Sequence, residues 1–142
     1  MSRVELSSAD LRGADLRGAA LNWAYLWKTR LDDTTRLDPK WRQVWTILNI
    51  GAARQALAGV DLADAHLSEA DLAGADLRQA NLSRTILGGA DLNGADLSGA
   101  NLAGVRLSRA ALLRGLSGRG RVCARPTCAK PTSAALTCAG PI

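Results

Sequence analysis

Residues 90–104 read ADLNG-ADLSG-ANLAG, three blocks of five residues that match at almost every place. Each block has a leucine at its centre, an alanine two places before it, and Asp or Asn between the two. The same spacing of leucine continues in both directions and forms two arrays. We predict that these leucines build the core, namely Leu6, Leu11, Leu16, Leu21, Leu26, Leu31, Leu57, Leu62, Leu67, Leu72, Leu77, Leu82, Leu87, Leu92, Leu97, Leu102, Leu107 and Leu112.

A period of five fits neither an α-helix nor a flat strand. Five residues advance a helix by roughly 500°, so successive leucines step by about 140° and form no stripe. In a strand, an odd period would send successive leucines to opposite faces. The chain must therefore turn once in every block, and four such turns close a square coil of twenty residues. Stacked coils should lie roughly 4.8 Å apart.

The other places of the block suit such a coil. Alanine fits the second inward place because a larger group would collide near the corner. Glycine at Gly89, Gly94, Gly99 and Gly104 suits corners that need permissive dihedral angles. Asp or Asn before the leucine can accept a hydrogen bond from the backbone of the turn.

The repeated A(D/N)Lxx pattern resembles that of the pentapeptide-repeat proteins over residues 4–33 and 55–114. The resemblance implies an all-β solenoid, a right-handed, four-sided β-helix with leucine at the centre of each side. From the number of blocks we expect about 4.5 coils, interrupted by one α-helix. Mild departures from the pattern occur at Val60, His66, Thr85, Ile86, Val105 and Arg106.

The interruption lies between the two arrays, in the sequence LDPKWRQVWTILNIGAARQ of residues 37–55. Trp41, Val44, Trp45 and Leu48 fall at helical spacing, which predicts an amphipathic helix over about 39–50. The first array is too short to be stable alone, so we expect it to stack on the second array or to lean on the helix.

Residues at both ends of this segment are typical of helix boundaries. Asp38 is a suitable N-cap, Pro39 suits the first turn, and Gly51 can end the helix. We therefore divide the chain into a first repeat array (1–36), a helical insert (37–56), a second repeat array (57–116) and a disordered basic tail (117–142).

Aromatic residues gather around the interruption. Trp23, Tyr25 and Trp27 occupy places that should point outward, where polar residues are usual. One interpretation is that the helix packs on them. The other is that they form a partner-binding patch together with Trp41 and Trp45.

Aspartates suggest a second surface. Asp71 and Asp91 lie twenty residues apart, as do Asp76 and Asp96, so each pair should stack on one side of the coil and form an acidic patch. Exposed aspartates that bond to turns are the alternative. Some pentapeptide-repeat proteins, including the quinolone-resistance group, are thought to mimic DNA and bind DNA gyrase. The net charge of +1 over residues 1–115 opposes that role.

The sequence offers no residues for catalysis. The single histidine, His66, lies in an outward place, and we expect a solvated surface side chain. The three cysteines, Cys123, Cys128 and Cys138, lack the close pairs of zinc modules. We predict neither enzymatic activity nor a metal, a cofactor or a small-molecule substrate.

The last segment differs in composition from everything before it. Residues 116–142 hold four basic residues and no acid, which leaves open direct contact with nucleic acid, disorder, or a shifted reading frame. No aromatic residue follows Trp45 to stack on bases. No apolar run of about 18 residues and no signal peptide occur, so we expect a cytoplasmic protein. The leading hypothesis is a non-enzymatic scaffold that binds an unknown protein partner.

Overall fold

The computed structural model describes residues 4–107. It contains one helix, α1 (Pro39–Asn49), while neighbouring coils are joined by parallel bridges of single residues rather than by long strands. The bridged residues lie twenty positions apart, which confirms the predicted coil. Asp15 and Arg36 are the exception at twenty-one positions, because the leucine period slips by one residue between Leu31 and Leu37.

The bridges fall on four sides, which we number in chain order. Side 1 carries Glu5, Tyr25, His66, Ile86 and Arg106; side 2 carries Asp10, Arg30, Asp71 and Asp91; side 3 carries Asp15, Arg36, Ala56, Asp76 and Asp96; side 4 carries Asp61, Asn81 and Asn101. Main-chain hydrogen bonds run in both directions between coils. The Leu62 N–H donates to the Asn81 carbonyl at 2.8 Å, and the Asn81 N–H donates to the Val60 carbonyl at 2.8 Å.

Among the described residues, one left-handed residue makes the corner that follows each repeat leucine, except in the pentapeptide of Leu31 and after Leu107, the last described residue. The predicted corner glycines, from Gly89 to Gly104, have φ between 69° and 74°. Eight further corners carry side chains, among them Trp23 at 57° and Asp64 at 58°. This conformation normally costs a residue other than glycine free energy. The predicted bond to the turn is also present, since the Ala73 N–H donates to Asp71 Oδ1 at 3.2 Å.

Leucine and alanine fill the core. The leucines from Leu62 to Leu82 are 0% exposed, which confirms the prediction for the middle of the second array. Six other predicted core leucines are only partly buried, namely Leu6, Leu11, Leu16, Leu31, Leu102 and Leu107. Of these, Leu6, Leu102 and Leu107 pack against the core cluster. Leu112 lies outside the described residues.

Threonine replaces alanine at three inward places and bonds to the coil before it. The hydroxyl groups of Thr29, Thr35 and Thr85 donate to the carbonyls of Leu6, Leu11 and Leu62 at 3.2, 3.1 and 2.7 Å. Thr85 is 0% exposed, so its hydroxyl needs this bond to offset its burial. Threonine can therefore replace alanine at these places without leaving its hydroxyl group unbonded in the core.

Helix α1 replaces two sides of one coil. The chain leaves side 3 at Arg36 and returns on side 2, where the Ala52 N–H donates to the Asp71 carbonyl at 3.0 Å. The helix agrees with the predicted range of 39–50 to within one residue. Its buried face consists of Trp41, Val44, Ile47 and Leu48.

The ends of the helix were predicted only in part. Gly51 follows it with φ of 93°, as expected of a residue that ends a helix. Asp38 takes the N-cap position, but its side chain makes no cap hydrogen bond. Its carboxylate instead accepts from the Gly18 N–H, at 3.1 Å, in the coil before it. The Asp38 side chain therefore bonds to the neighbouring coil instead of capping the helix.

The remaining predictions about the chain ends concern residues that the structure does not describe. The basic tail and the three cysteines lie within residues 108–142, outside the described range. Among residues 4–107, no helix has the length and apolar character needed to cross a membrane.

Candidate interaction surface

An aromatic stack lies on side 1. The ring of Tyr25 stacks on that of Trp27, with centroids 6.3 Å apart, and on that of His66, at 4.3 Å. Trp27 is 40% exposed, and the Lys28 Nζ lies 4.2 Å from the centroid of its ring. The exposed ring of Trp27 therefore forms an apolar surface, and the positive charge of Lys28 lies above that ring.

Trp23 and Tyr25 both contact the second array. The indole N–H of Trp23 donates to the Arg84 carbonyl at 3.1 Å, and its main-chain N–H donates to the Asp64 carbonyl at 2.7 Å. Tyr25 is half-buried against His66. Burial raises the pKa of its phenol, and the charges of Glu69 and Glu5 raise it further.

The two helix tryptophans do not form an exposed patch. Trp41 is only 6% exposed and belongs to the core, so its inclusion in the predicted surface is wrong. A large indole at the centre of the apolar helical face is drawn inward by the hydrophobic effect. Trp45 is half-buried, and its indole N–H donates to the Thr29 carbonyl at 2.9 Å.

The prediction for His66 is wrong as well. The imidazole is 9% exposed, because Tyr25 of the first array covers it. Its Nε2 lies 2.9 Å from the Ser68 hydroxyl. The outward place of the repeat is solvated only where no other segment covers it, and the period of five does not show which places are covered.

The aspartates stack as predicted, with Asp71 bridged to Asp91 and Asp76 to Asp96. Their charge is partly neutralised by Arg78, whose guanidinium donates to both oxygens of Asp76, at 2.8 and 2.7 Å. This side-chain bond and the main-chain N–H of Arg78 lower the pKa of Asp76 to about 2. A Ser98 hydrogen bond is the main cause of the lowered pKa of Asp96, and Arg78 contributes at 3.9 Å.

The ion pair between Arg84 and Asp64 was not predicted from the sequence. Arg84 donates two hydrogen bonds of 2.6 Å to the carboxylate of Asp64, which is 9% exposed. The Arg84 side-chain bonds are the main cause of the lowered pKa of Asp64. The signal was present in the sequence, because the two residues lie twenty positions apart, the separation that also pairs Asp71 with Asp91.

Acid should weaken the native state through these carboxylates. Asp10, Asp15, Asp32 and Asp76 each have a pKa lowered from 3.8 to about 2. A carboxyl whose folded pKa is depressed stabilises the protein above its unfolded pKa, and this contribution disappears as the pH falls from about 4 to about 2. We expect the melting temperature to fall over this interval, with surface screening keeping each contribution small.

The substitution Arg78→Gln tests whether Arg78 causes the lowered pKa of Asp76. We expect the pKa of Asp76 to rise toward 3.8, because the main hydrogen-bond donor and the nearest positive charge are both removed. Carboxyl carbon chemical shifts, followed by NMR from pH 6 to pH 1.5, measure the pKa directly. Arg12→Gln is the matched control, since Arg12 pairs with Asp10 and should leave Asp76 unchanged. A wild-type Asp76 that titrates near 3.8 would contradict the structure.

The described residues show no arrangement for metal-dependent chemistry. Among residues 4–107, no group of His, Cys, Asp and Glu side chains could hold a metal ion. The geometry is instead that of a β-helical solenoid with side chains displayed on its outer sides.

Comparison with known proteins identifies the family. The sequence pattern of the pentapeptide repeats matches in eight copies, over residues 1–35, 56–94 and 75–112. These segments cover more than half of the chain, and the protein therefore belongs to the pentapeptide-repeat family. No curated protein matches the chain.

Solved structures of the same family are similar over part of their length. HetL, involved in heterocyst differentiation regulation in the cyanobacterium Nostoc sp. strain PCC 7120, is 30% identical over 72% of this chain and 46% of its own, with a TM-score of 0.38. Rfr23 from the cyanobacterium Cyanothece 51142 is 28% identical over 77% and 63%, with a TM-score of 0.34. QnrB1, a plasmid-mediated fluoroquinolone resistance protein, is 18% identical over 78% and 61%, with a TM-score of 0.32. The chain thus spans about half to two thirds of these proteins.

Proposed function

We propose that this protein is a non-enzymatic scaffold that binds a protein partner, built on a right-handed β-helix of about 4.5 coils. Exposure of Trp27 is the observation that carries the proposal. It is 40% exposed on a side where the neighbouring rings are covered, and it lies beside the charged Lys28. Exposed tryptophan is enriched at the centres of protein interfaces, where it buries a large area at low entropic cost.

The binding surface that we propose is smaller than the set of residues expected from the sequence. It consists of Trp27, Lys28 and the exposed edge of Tyr25. Trp41 lies in the core, while Trp23 and Trp45 are occupied by hydrogen bonds to the Arg84 and Thr29 carbonyls. These three tryptophans support the fold beneath the surface.

Affinity capture from a bacterial lysate tests the proposal with three proteins: wild type, Trp27→Ala and Ile50→Ala. Ile50 is the matched control because it is an apolar residue that is 69% exposed, but it lies at the C-cap of the helix and is not part of the aromatic stack. We expect a partner that wild type and Ile50→Ala retain equally and that Trp27→Ala binds at least about tenfold more weakly. Equal binding by all three proteins would exclude Trp27 as the binding surface.

A second candidate function is mimicry of DNA toward DNA gyrase. Residues 57–107 hold seven acids and three arginines, which gives this part of the solenoid a negative charge. The Arg78 and Arg84 ion pairs oppose a continuous acidic face. Capture of gyrase that survives Trp27→Ala but is lost with Asp71→Asn and Asp91→Asn would favour this function over the first.

A further inference from the structure

The two arrays meet at a junction that has few main-chain hydrogen bonds. We define the junction as the boundary between residues 4–37 and residues 52–107. Within the described chain, one main-chain bond crosses it, from the Trp23 N–H to the Asp64 carbonyl at 2.7 Å. Coils 55–74 and 75–94, by contrast, share twelve such bonds. Each is worth about 0.5–1.5 kcal/mol net, so the junction lacks a large part of the cohesion between ordinary coils.

The helix caps the first array at this junction. Three of its side chains donate to main-chain carbonyls of the first array that face no further coil. Arg42 donates to Thr35 at 2.6 Å, Trp45 to Thr29 at 2.9 Å, and Asn49 to Leu26 at 2.9 Å. These bonds tie α1 to the first array. The buried face of α1 lies in one apolar cluster with leucines of both arrays. The polar tie between α1 and the second array is the ion pair from Lys40 to Asp61, at 3.0 Å.

The second array has no such cap on its edge. The N–H groups of Asp76, Asn81 and Asp91 donate to carbonyls of the coil before them, whereas those of Asp61 and Asp71 donate no main-chain hydrogen bond within residues 4–107. Side chains hold this edge closed instead. The Trp23 indole bonds to the Arg84 carbonyl, and Tyr25 stacks on His66.

We propose that the junction is a latch: residues 4–50 detach from the second array as one unit while the coils of the second array remain folded. Gly51, with φ of 93° and the 69% exposed Ile50 beside it, is the hinge between the two units. Opening exposes the coil edge around Asp61 and Asp71, whose N–H groups donate no main-chain hydrogen bond within residues 4–107. The latch does not require a partner bound at Trp27, although Tyr25 belongs to both the latch and that surface.

Native-state amide hydrogen exchange on the full chain tests the latch. The Trp23 and Asp64 amides form a matched pair, because they occupy the same place in their repeats, with φ of 57° and 58°, and each donates to a carbonyl of the next coil. We expect Trp23 to exchange at least tenfold faster than Asp64. We also expect Leu6, Leu11 and Leu16 to exchange at rates close to that of Trp23, since one and a half coils are not stable once detached. Equal rates for Trp23 and Asp64 would overturn the proposal.

The variant Trp23→Ala tests whether the opening is concerted. Loss of the indole bond to Arg84 should accelerate exchange at residue 23 and at Leu6, Leu11 and Leu16 by the same factor, at least tenfold. Leu77 should change by less than twofold. Arg12→Gln is the control, because Arg12 pairs with Asp10 within the first array, and it should leave residue 23 within twofold of wild type. Acceleration of residue 23 alone would show local fraying, and equal acceleration of Leu77 would show a single cooperative unit; either result contradicts the latch.

Discussion

Replacing Trp41 with alanine is expected to lower the free energy of unfolding by about 3–5 kcal/mol. The side chain is 6% exposed and lies in the same apolar cluster as the leucines of both arrays. Truncation removes an indole and leaves a cavity beneath α1, which surrounding side chains can fill only in part. Because domains of this size typically have a free energy of unfolding of only about 5–15 kcal/mol, this loss is a large fraction of the total.

Urea unfolding followed by far-UV circular dichroism measures this loss. Ile50→Ala provides the control, since this residue adjoins the same helix but is 69% exposed, and its truncation should change the free energy by no more than about 0.5 kcal/mol. A loss below about 1 kcal/mol for Trp41→Ala would mean that the helix packs loosely. The partner-binding interpretation of the helical tryptophans would then regain its support.

The leucine period was sufficient to predict the coil, because its cause is local. Each pentapeptide repeats one turn, so the place of Leu77 in its block determines that it points inward, whatever lies elsewhere in the chain. The twenty-residue pairing of Asp71 with Asp91 follows from the same arithmetic. The helix could be predicted for a similar reason, since its apolar spacing and the flanking residues Pro39 and Gly51 are local signals.

The junction could not be predicted, because its contacts join residues forty-one positions apart instead of the twenty or twenty-one that separate paired residues elsewhere. Tyr25 meets His66 and Trp23 meets Asp64, each forty-one positions apart, only because α1 takes the place of two sides of a coil. The pattern shows that the period stops and resumes, but not which sides meet afterwards. For that reason His66 was expected on the surface. The burial of Trp41 was equally undetermined, since an apolar helical face fits either a core or a partner.

Replacing Leu77 with alanine should cost about 2–5 kcal/mol, whereas the same substitution at Leu11 should cost less than half as much. Both residues occupy the central place of a pentapeptide, so local conformation and side-chain chemistry are matched. They differ in burial: Leu77 is 0% exposed between two described coils, while Leu11 is half-buried in the end coil. Urea unfolding followed by far-UV circular dichroism measures both losses.

The difference in unfolding free energy between the two variants distinguishes two explanations of how the leucines stabilise the repeat. If the stability of each leucine came from its own turn, the two losses would be equal. In a solenoid the contribution of a leucine depends on the coils on both sides of it, so a leucine with one neighbouring coil loses fewer contacts on truncation. Equal losses at Leu11 and Leu77 would therefore contradict the account of a core stabilised by stacking.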